Sequence, residues 1–141
     1  MEAPQIVARF AQPGDLDFLR PKYVTDAITL RKIEWQEIAV AERDNSLVGH
    51  IWLEYLWSMV PYVSLIWVLP EHRRQGVGKA LLNFTESFLR SKGQDALYSS
   101  SQADEPEPQA WHRHMGFEEC GIITGINDGG IGEIFFRKNL K

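Results

Sequence analysis

Residues 73 to 79, Arg73-Arg74-Gln75-Gly76-Val77-Gly78-Lys79, place three cations around two glycines one residue apart, and an apolar helical pattern starts at the glycines. The first turn of a helix leaves N–H groups without partners, and the aligned peptide dipoles make that end partly positive. A phosphate is the natural guest there. With no Cβ at Gly76 and Gly78, phosphate oxygens can approach the backbone, while Arg73, Arg74 and Lys79 supply countercharge. The plain alternative is a sharp strand-to-helix turn with solvated arginines, and six residues alone leave both readings open. Two nucleotide motifs fail at named positions. The third glycine of GxGxxG would fall on Leu81, and a Walker A loop would need Gly at Arg73 and Ser or Thr at Ala80.

Few other residues suggest chemistry. His112 and His114 stand two apart on an expected helix, point to nearly opposite sides and cannot converge on one ion, so no metal site is expected. His50 shares a strand face with Trp52 and reads as a satisfied sheet residue. The single cysteine, Cys120, allows no internal disulfide; it indicates a reducing compartment and a buried apolar thiol. Trp52, Tyr55 and Trp57 crowd one strand and its end, where core packing is the default; an acceptor wall or a homodimer surface is the alternative.

Elements able to position these groups follow from patterning. Gln5 to Phe10 favours a strand, the Gln12-Pro13-Gly14 turn ends it, and Asp15 can cap a short helix stopping before Pro21. Thr25 can cap a second helix to about Trp35. Residues 37–43 and 47–56 flank Asp44-Asn45-Ser46 and predict a β-hairpin. Tyr62 to Leu69 is almost wholly apolar, as expected of a central strand covered on both faces. From Gly76 the spacing becomes helical through Val77, Leu81, Phe84 and Phe88, until Lys92-Gly93 stops it. Ala96 to Ser100 gives another strand, Gln102 to Pro108 an acidic loop into a short helix closed by Gly116, and residues 118–126 and 133–138 a hairpin. The sum is an α/β fold in which one mixed, mostly antiparallel central sheet carries helices on both faces.

Size and charge bound the rest. A chain of 141 residues suits one domain, 1–141. A net charge of -4 gives no global positive field, so no nucleic-acid partner is expected. No apolar run reaches the roughly 20 residues needed to cross a bilayer, and the first ten residues lack the pattern of a secretory signal. No membrane partner and a cytoplasmic location are expected.

Val68-Leu69-Pro70-Glu71-His72-Arg73, the glycine turn after it, and Ala110-Trp111-His112-Arg113-His114-Met115-Gly116-Phe117 together resemble the GNAT superfamily of acetyl-CoA-dependent N-acyltransferases. The pattern V-x-P-x-x-R-x-x-G-x-G matches in full, the later Gly-Phe helix is similar to the family's second hallmark, and Arg9 and Asp15 look like a usual beginning. The strong part of the match covers roughly residues 48 to 118. By this resemblance the fold is GNAT-like, and the co-substrate is acetyl-CoA, with no metal. The backbone from Gln75 to Lys79, through Gly76, Val77 and Gly78, would hold the pyrophosphate with Arg73 and Arg74. Val68 and Leu69 would lie beside the pantetheine arm, where the strands of Ile66 to Leu69 and Leu97 to Ser100 splay, and an N–H near Val68 would polarise the thioester carbonyl.

The chain departs from the family at three places. His112 stands where relatives often carry a tyrosine as general acid; an unperturbed imidazole, with a pKa of about 6.5, is mostly a base at neutral pH. It could still donate if a carboxylate such as Glu105 raised its pKa, or accept a proton from the nucleophile. Residues 62–65 hold no strand carboxylate, which leaves Glu54 on the neighbouring strand, or a water chain, as the base. The acidic loop of Asp104, Glu105 and Glu107 replaces an asparagine that often touches the coenzyme. The resulting expectation is transfer of an acetyl group to a small-molecule amine by direct attack in a ternary complex, with His112 and Glu54 as acid–base candidates. A CoA-binding sensor that lost its acid–base groups is the alternative, and a protein-interaction module the weaker one.

Overall fold

The computed structural model describes residues 5–141. In chain order it comprises β1 (Ile6–Phe10), α1 (Asp26–Glu34), β2 (Ile38–Arg43), β3 (Ser46–Leu56), β4 (Val60–Val68), α2 (Val77–Ser91), β5 (Ala96–Gln102), α3 (Pro106–His114), β6 (Glu118–Ile123) and β7 (Glu133–Asn139), with three short 3-10 turns between them. The strands form one sheet in the order β1-β2-β3-β4-β5-β7-β6. β1 with β2, β2 with β3, β5 with β7 and β6 with β7 pair antiparallel, whereas β4 and β5 run parallel through Tyr62–Tyr98 and Val63–Ser99. This is the mixed sheet the sequence predicts. The residues sort into two compact units, one running to Leu53 and taking in Leu65–Ser87, the other Glu54–Ser64 with Phe88–Lys141.

In the first unit, Ala11, Leu19, Ile33, Ile38, Val40 and Trp52 form a core, with Phe18, Val24, Leu47 and Leu65 packed against it. Thr25 caps α1, its Oγ1 accepting the Ile28 N–H. Asp44 and Asn45 both take positive φ, the type I′ geometry that suits a two-residue hairpin. The helix expected after Asp15 is absent. Pro13–Asp15 forms a 3-10 turn instead, because the Asp15 carboxylate accepts the Gln12 N–H at 2.8 Å and hydrogen bonds from Arg9 Nη1 and Nη2 at 2.8 and 3.1 Å. That bidentate partner holds Asp15 below the usual carboxylate range. Lys32 is buried, and its ammonium is satisfied by Glu37 at 2.9 Å and the Leu53 carbonyl at 2.6 Å.

In the second unit, β5 alternates cleanly, burying Leu97, Ser99 and Ser101. Phe136 of β7 is fully buried. Cys120, expected inside, is exposed. It sits on β6, whose ladder to β7 slips between Glu119 and Gly121 and leaves position 120 unpaired. Partial burial of its sulfur pushes the thiol pKa up, away from activation.

Helix α2 buries a line differing from the expected stripe. Val77, Leu81, Leu82, Thr85 and Leu89 are buried, while Phe84 and Phe88 are half-buried. The sequence pattern passes over Thr85 as polar, but its hydroxyl donates back to the Leu81 carbonyl at 2.9 Å and so tolerates the interior. Gly93, at φ +82, ends the helix, with Gln94 N–H reaching the Leu89 carbonyl. Among the described residues no helix is long and apolar enough to cross a membrane.

Candidate active site

A 3-10 turn over Pro70–His72 carries the chain from β4 toward α2, and Arg74 (φ 60) and Gly76 (φ 90) then reverse it. The first bond of the helical ladder in α2 runs from Ala80 N–H to the Gly76 carbonyl at 3.0 Å. The N–H groups of Gly76, Val77, Gly78 and Lys79 therefore precede the ladder. Gln75, at the same mouth, is committed to the fold. Its side-chain oxygen accepts from Arg43 and its amide nitrogen donates to the Glu71 carbonyl at 3.1 Å. Arg73, Arg74 and Lys79 are exposed around the mouth, and the Arg73 guanidinium is anchored by Nε donating to the Val68 carbonyl at 2.9 Å. Beside them, His72 Nδ1 is buried with no hydrogen-bond partner. Open N–H groups, exposed cations and small residues fit an anionic diphosphate.

Val68 and Leu69 take different parts. Leu69 donates its N–H to the Val48 carbonyl at 2.8 Å and accepts the His72 N–H at 2.9 Å, so its backbone serves the turn. Because strand polar groups alternate in direction, the Val68 N–H and carbonyl point away from β3. The register of β4 with β5 covers only Tyr62–Tyr98 and Val63–Ser99, well before Val68.

Gly49 lies outside the residues that the sequence alone singles out. A Cβ there would lie 2.9 Å from the Trp67 carbonyl oxygen, 3.0 Å from Val77 Cγ1 and 3.3 Å from Leu81 Cδ1. Its absence lets β3 accept β4 and the first turn of α2 together, which fixes the mouth. A glycine inside an apolar strand is itself a signal of such close approach.

His112 is placed where acid–base exchange with a substrate has no atom to use. It is only 3% exposed, with Nδ1 2.8 Å from the Pro108 carbonyl and Nε2 2.7 Å from Ser99 Oγ. A carbonyl only accepts, so Nδ1 carries the proton and Nε2 accepts from Ser99. The ring stacks on Phe136 at 4.6 Å and 7°, with Trp111 and Phe117 edge-on. Burial lowers its pKa, and the carboxylate acting against that is Glu133 rather than Glu105, which is exposed at the N-cap of α3. The side chain fastens α3 to β5 as a neutral imidazole.

The second unit does hold a polar chain that the sequence reading did not assemble. Tyr62 Oη lies 2.6 Å from Ser100 Oγ, which lies 2.5 Å from Glu133 Oε2, and Glu133 Oε1 accepts from Asn127 Nδ2 at 3.0 Å. Tyr62 stacks on Phe135 at 5.7 Å. Glu54 is exposed on β3, and its charge, like that of Glu133, adds to the burial that raises the Tyr62 phenol pKa. Among the described residues no group of three or more His, Cys, Asp or Glu could hold a metal ion.

Comparison with known proteins adds to this geometry. A family model described as "Acetyltransferase (GNAT) family" matches residues 10–117. Over 92 residues, 64% of this chain and 48% of the relative, the chain is 29% identical to a streptothricin acetyltransferase from Streptomyces lavendulae. It is 33% identical over 67 residues, 48% of this chain and 44% of the relative, to an aminoglycoside N(6')-acetyltransferase type 1 from Stenotrophomonas maltophilia. The chain spans about half the length of these curated relatives. The solved structure of yncA from Salmonella typhimurium, with its cofactor acetyl-CoA, matches at a TM-score of 0.81, covering 97% of this chain and 95% of that one at 16% identity, a likeness of fold.

Proposed function

The chain belongs to the acetyltransferase (GNAT) family, and we propose that it moves an acetyl group from acetyl-CoA to a primary amine of a small molecule by direct transfer in a ternary complex. The observation that carries this reading is the open helix mouth of α2, where four N–H groups precede the ladder amid exposed Arg73, Arg74 and Lys79. In this reading those groups hold the coenzyme's diphosphate, with Gly76 and Gly78 keeping the approach clear, and the outward Val68 N–H receives the pantetheine arm. Acetyl-CoA supplies an activated acyl thioester; the chain's residues bind and orient it and manage the amine's proton. The curated relatives are named for streptothricin and an aminoglycoside, which supports a small amine-bearing acceptor. The lone cysteine fits a cytoplasmic setting.

Acetyl-CoA at about 100 times its Kd stabilises a native state by about 2.7 kcal/mol, so it should raise the melting temperature by several degrees. Thiol release with a panel of polyamines, amino acids and aminoglycosides then reports transfer. One observation favours a second reading. His112, at the family's acid position, has both ring nitrogens engaged in the core, as a coenzyme-binding sensor without catalysis would allow. A thermal shift without thiol release from any amine would select the sensor, and no shift at all would refute both.

A further inference from the structure

We infer that Tyr62, Ser100 and Glu133 form a proton relay that removes the proton from the acceptor amine, with the Tyr62 phenol oxygen as the atom that meets the amine. This rests on the acetyltransferase reading above and names the groups that would serve as its base.

The direction of the chain carries the inference. Ser100 has one hydroxyl proton, and the carboxylate 2.5 Å away at Glu133 Oε2 can only accept, so Ser100 donates to Glu133. At the 2.6 Å Tyr62–Ser100 contact, Tyr62 must then be the donor. Tyr62 Oη makes no other hydrogen bond among the described residues, which leaves it capacity to accept, and the residue is half-buried. An amine arriving at neutral pH is an ammonium, a donor without lone pairs. It donates an N–H to Tyr62 Oη. Transfer then balances step by step: the phenol takes that proton and passes its own to Ser100 Oγ, and Ser100 passes its own to Glu133 Oε2. The products are a neutral amine with a free lone pair and a neutral Glu133 carboxyl, whose other oxygen still accepts from Asn127 at 3.0 Å.

The titratable groups beside Tyr62 are Tyr98, its register partner on β5, Glu54 from β3 and Glu133 from β7, and the two carboxylates favour a cation beside it. His112, on α3, also feels Glu133, but is neutral and occupied. A purely structural chain of the same three residues would tie β4, β5 and β7 together without regard to pH. That difference gives the test.

Ser100→Ala, Ser100→Thr and Tyr62→Phe are compared with wild type for acetyl-CoA-induced thermal shift and for kcat/KM with a primary amine from pH 6 to 10. General-base assistance is typically worth about 10²- to 10⁴-fold. Ser100→Ala and Tyr62→Phe should lose at least about 10²-fold at pH 7 and regain it as pH approaches the amine's own pKa, while Ser100→Thr stays near wild type. In protein labelled with 13C at tyrosine Cζ, the amine should also move the Tyr62 resonance, identified by its loss in Tyr62→Phe. A deficit constant across pH, an undiminished Ser100→Ala enzyme, or an unmoved Tyr62 resonance overturns the relay while the thermal shift leaves the acetyltransferase reading standing. Absence of a thermal shift in wild type overturns the acetyltransferase reading, and the relay with it.

Discussion

His50→Gln should flatten the loss of stability that the wild type suffers between neutral pH and pH 4. His50 is 6% exposed, its Nδ1 accepts from Trp52 Nε1 at 3.0 Å, and its ring lies against Phe18 and Trp67. Burial lowers its pKa from 6.5 to about 4. Above pH 6.5 neither folded nor unfolded chain binds the proton, and His50 imposes no penalty. Below that, the unfolded chain takes up a proton that the folded chain refuses, so stability falls by about 1.36 kcal/mol for each pH unit and levels off near the folded pKa, a loss of about 3 kcal/mol. Glutamine is neutral throughout and keeps an oxygen for Trp52. Urea unfolding followed by Trp fluorescence at pH 7, 6, 5 and 4 measures both proteins. Asp15 and His112 also respond to acid in this range but are common to both, so the difference curve isolates His50. Curves that stay parallel from pH 7 to 4 would refute the assignment of His50 as a buried neutral base.

Gly49→Ala should cost about 1 to 3 kcal/mol in chemical denaturation, the usual range for overpacking, because its Cβ would press on the Trp67 backbone, which cannot give way as a flexible side chain can. Gly78→Glu should keep its melting temperature but lose acetyl-CoA binding by calorimetry, since a carboxylate in the first helical turn suits the dipole and repels a diphosphate. Asp15→Asn should lower stability at pH 7 and lose less than wild type on acidification. Asp15's folded pKa is depressed by Arg9, so its contribution is present above the unfolded carboxylate pKa and disappears as pH falls through the folded one. His112→Ala should melt several degrees lower by calorimetry, through the cavity and the orphaned Ser99 hydroxyl, yet still bind acetyl-CoA.

What the sequence revealed divides along a physical line. Local chemistry was legible: Thr25 announces α1, Asp44-Asn45-Ser46 a hairpin with a short loop, and the glycine turn the mouth of α2. Contacts between distant residues were not. Tyr62, Ser100 and Glu133 lie 38 and 33 positions apart and meet only because β4, β5 and β7 are neighbours in the sheet. His112 looks catalytic when its position alone is known, and only the surrounding Phe136, Ser99 and Pro108 reveal a structural ring. Asp15 has the look of a helix cap, but Arg9 holds its carboxylate first. Cys120 follows the burial habit of cysteine until β6 proves to be an edge strand paired with β7 alone. Gly49 was the one missed residue with a readable signal.

The most direct test of the central claim is a 1H–15N titration of the protein with coenzyme A. Binding at the α2 mouth predicts that the amide resonances of Gly76, Val77, Gly78 and Lys79 move furthest, downfield as their N–H groups gain phosphate oxygens. Saturable binding that leaves those four resonances in place and shifts others would contradict it.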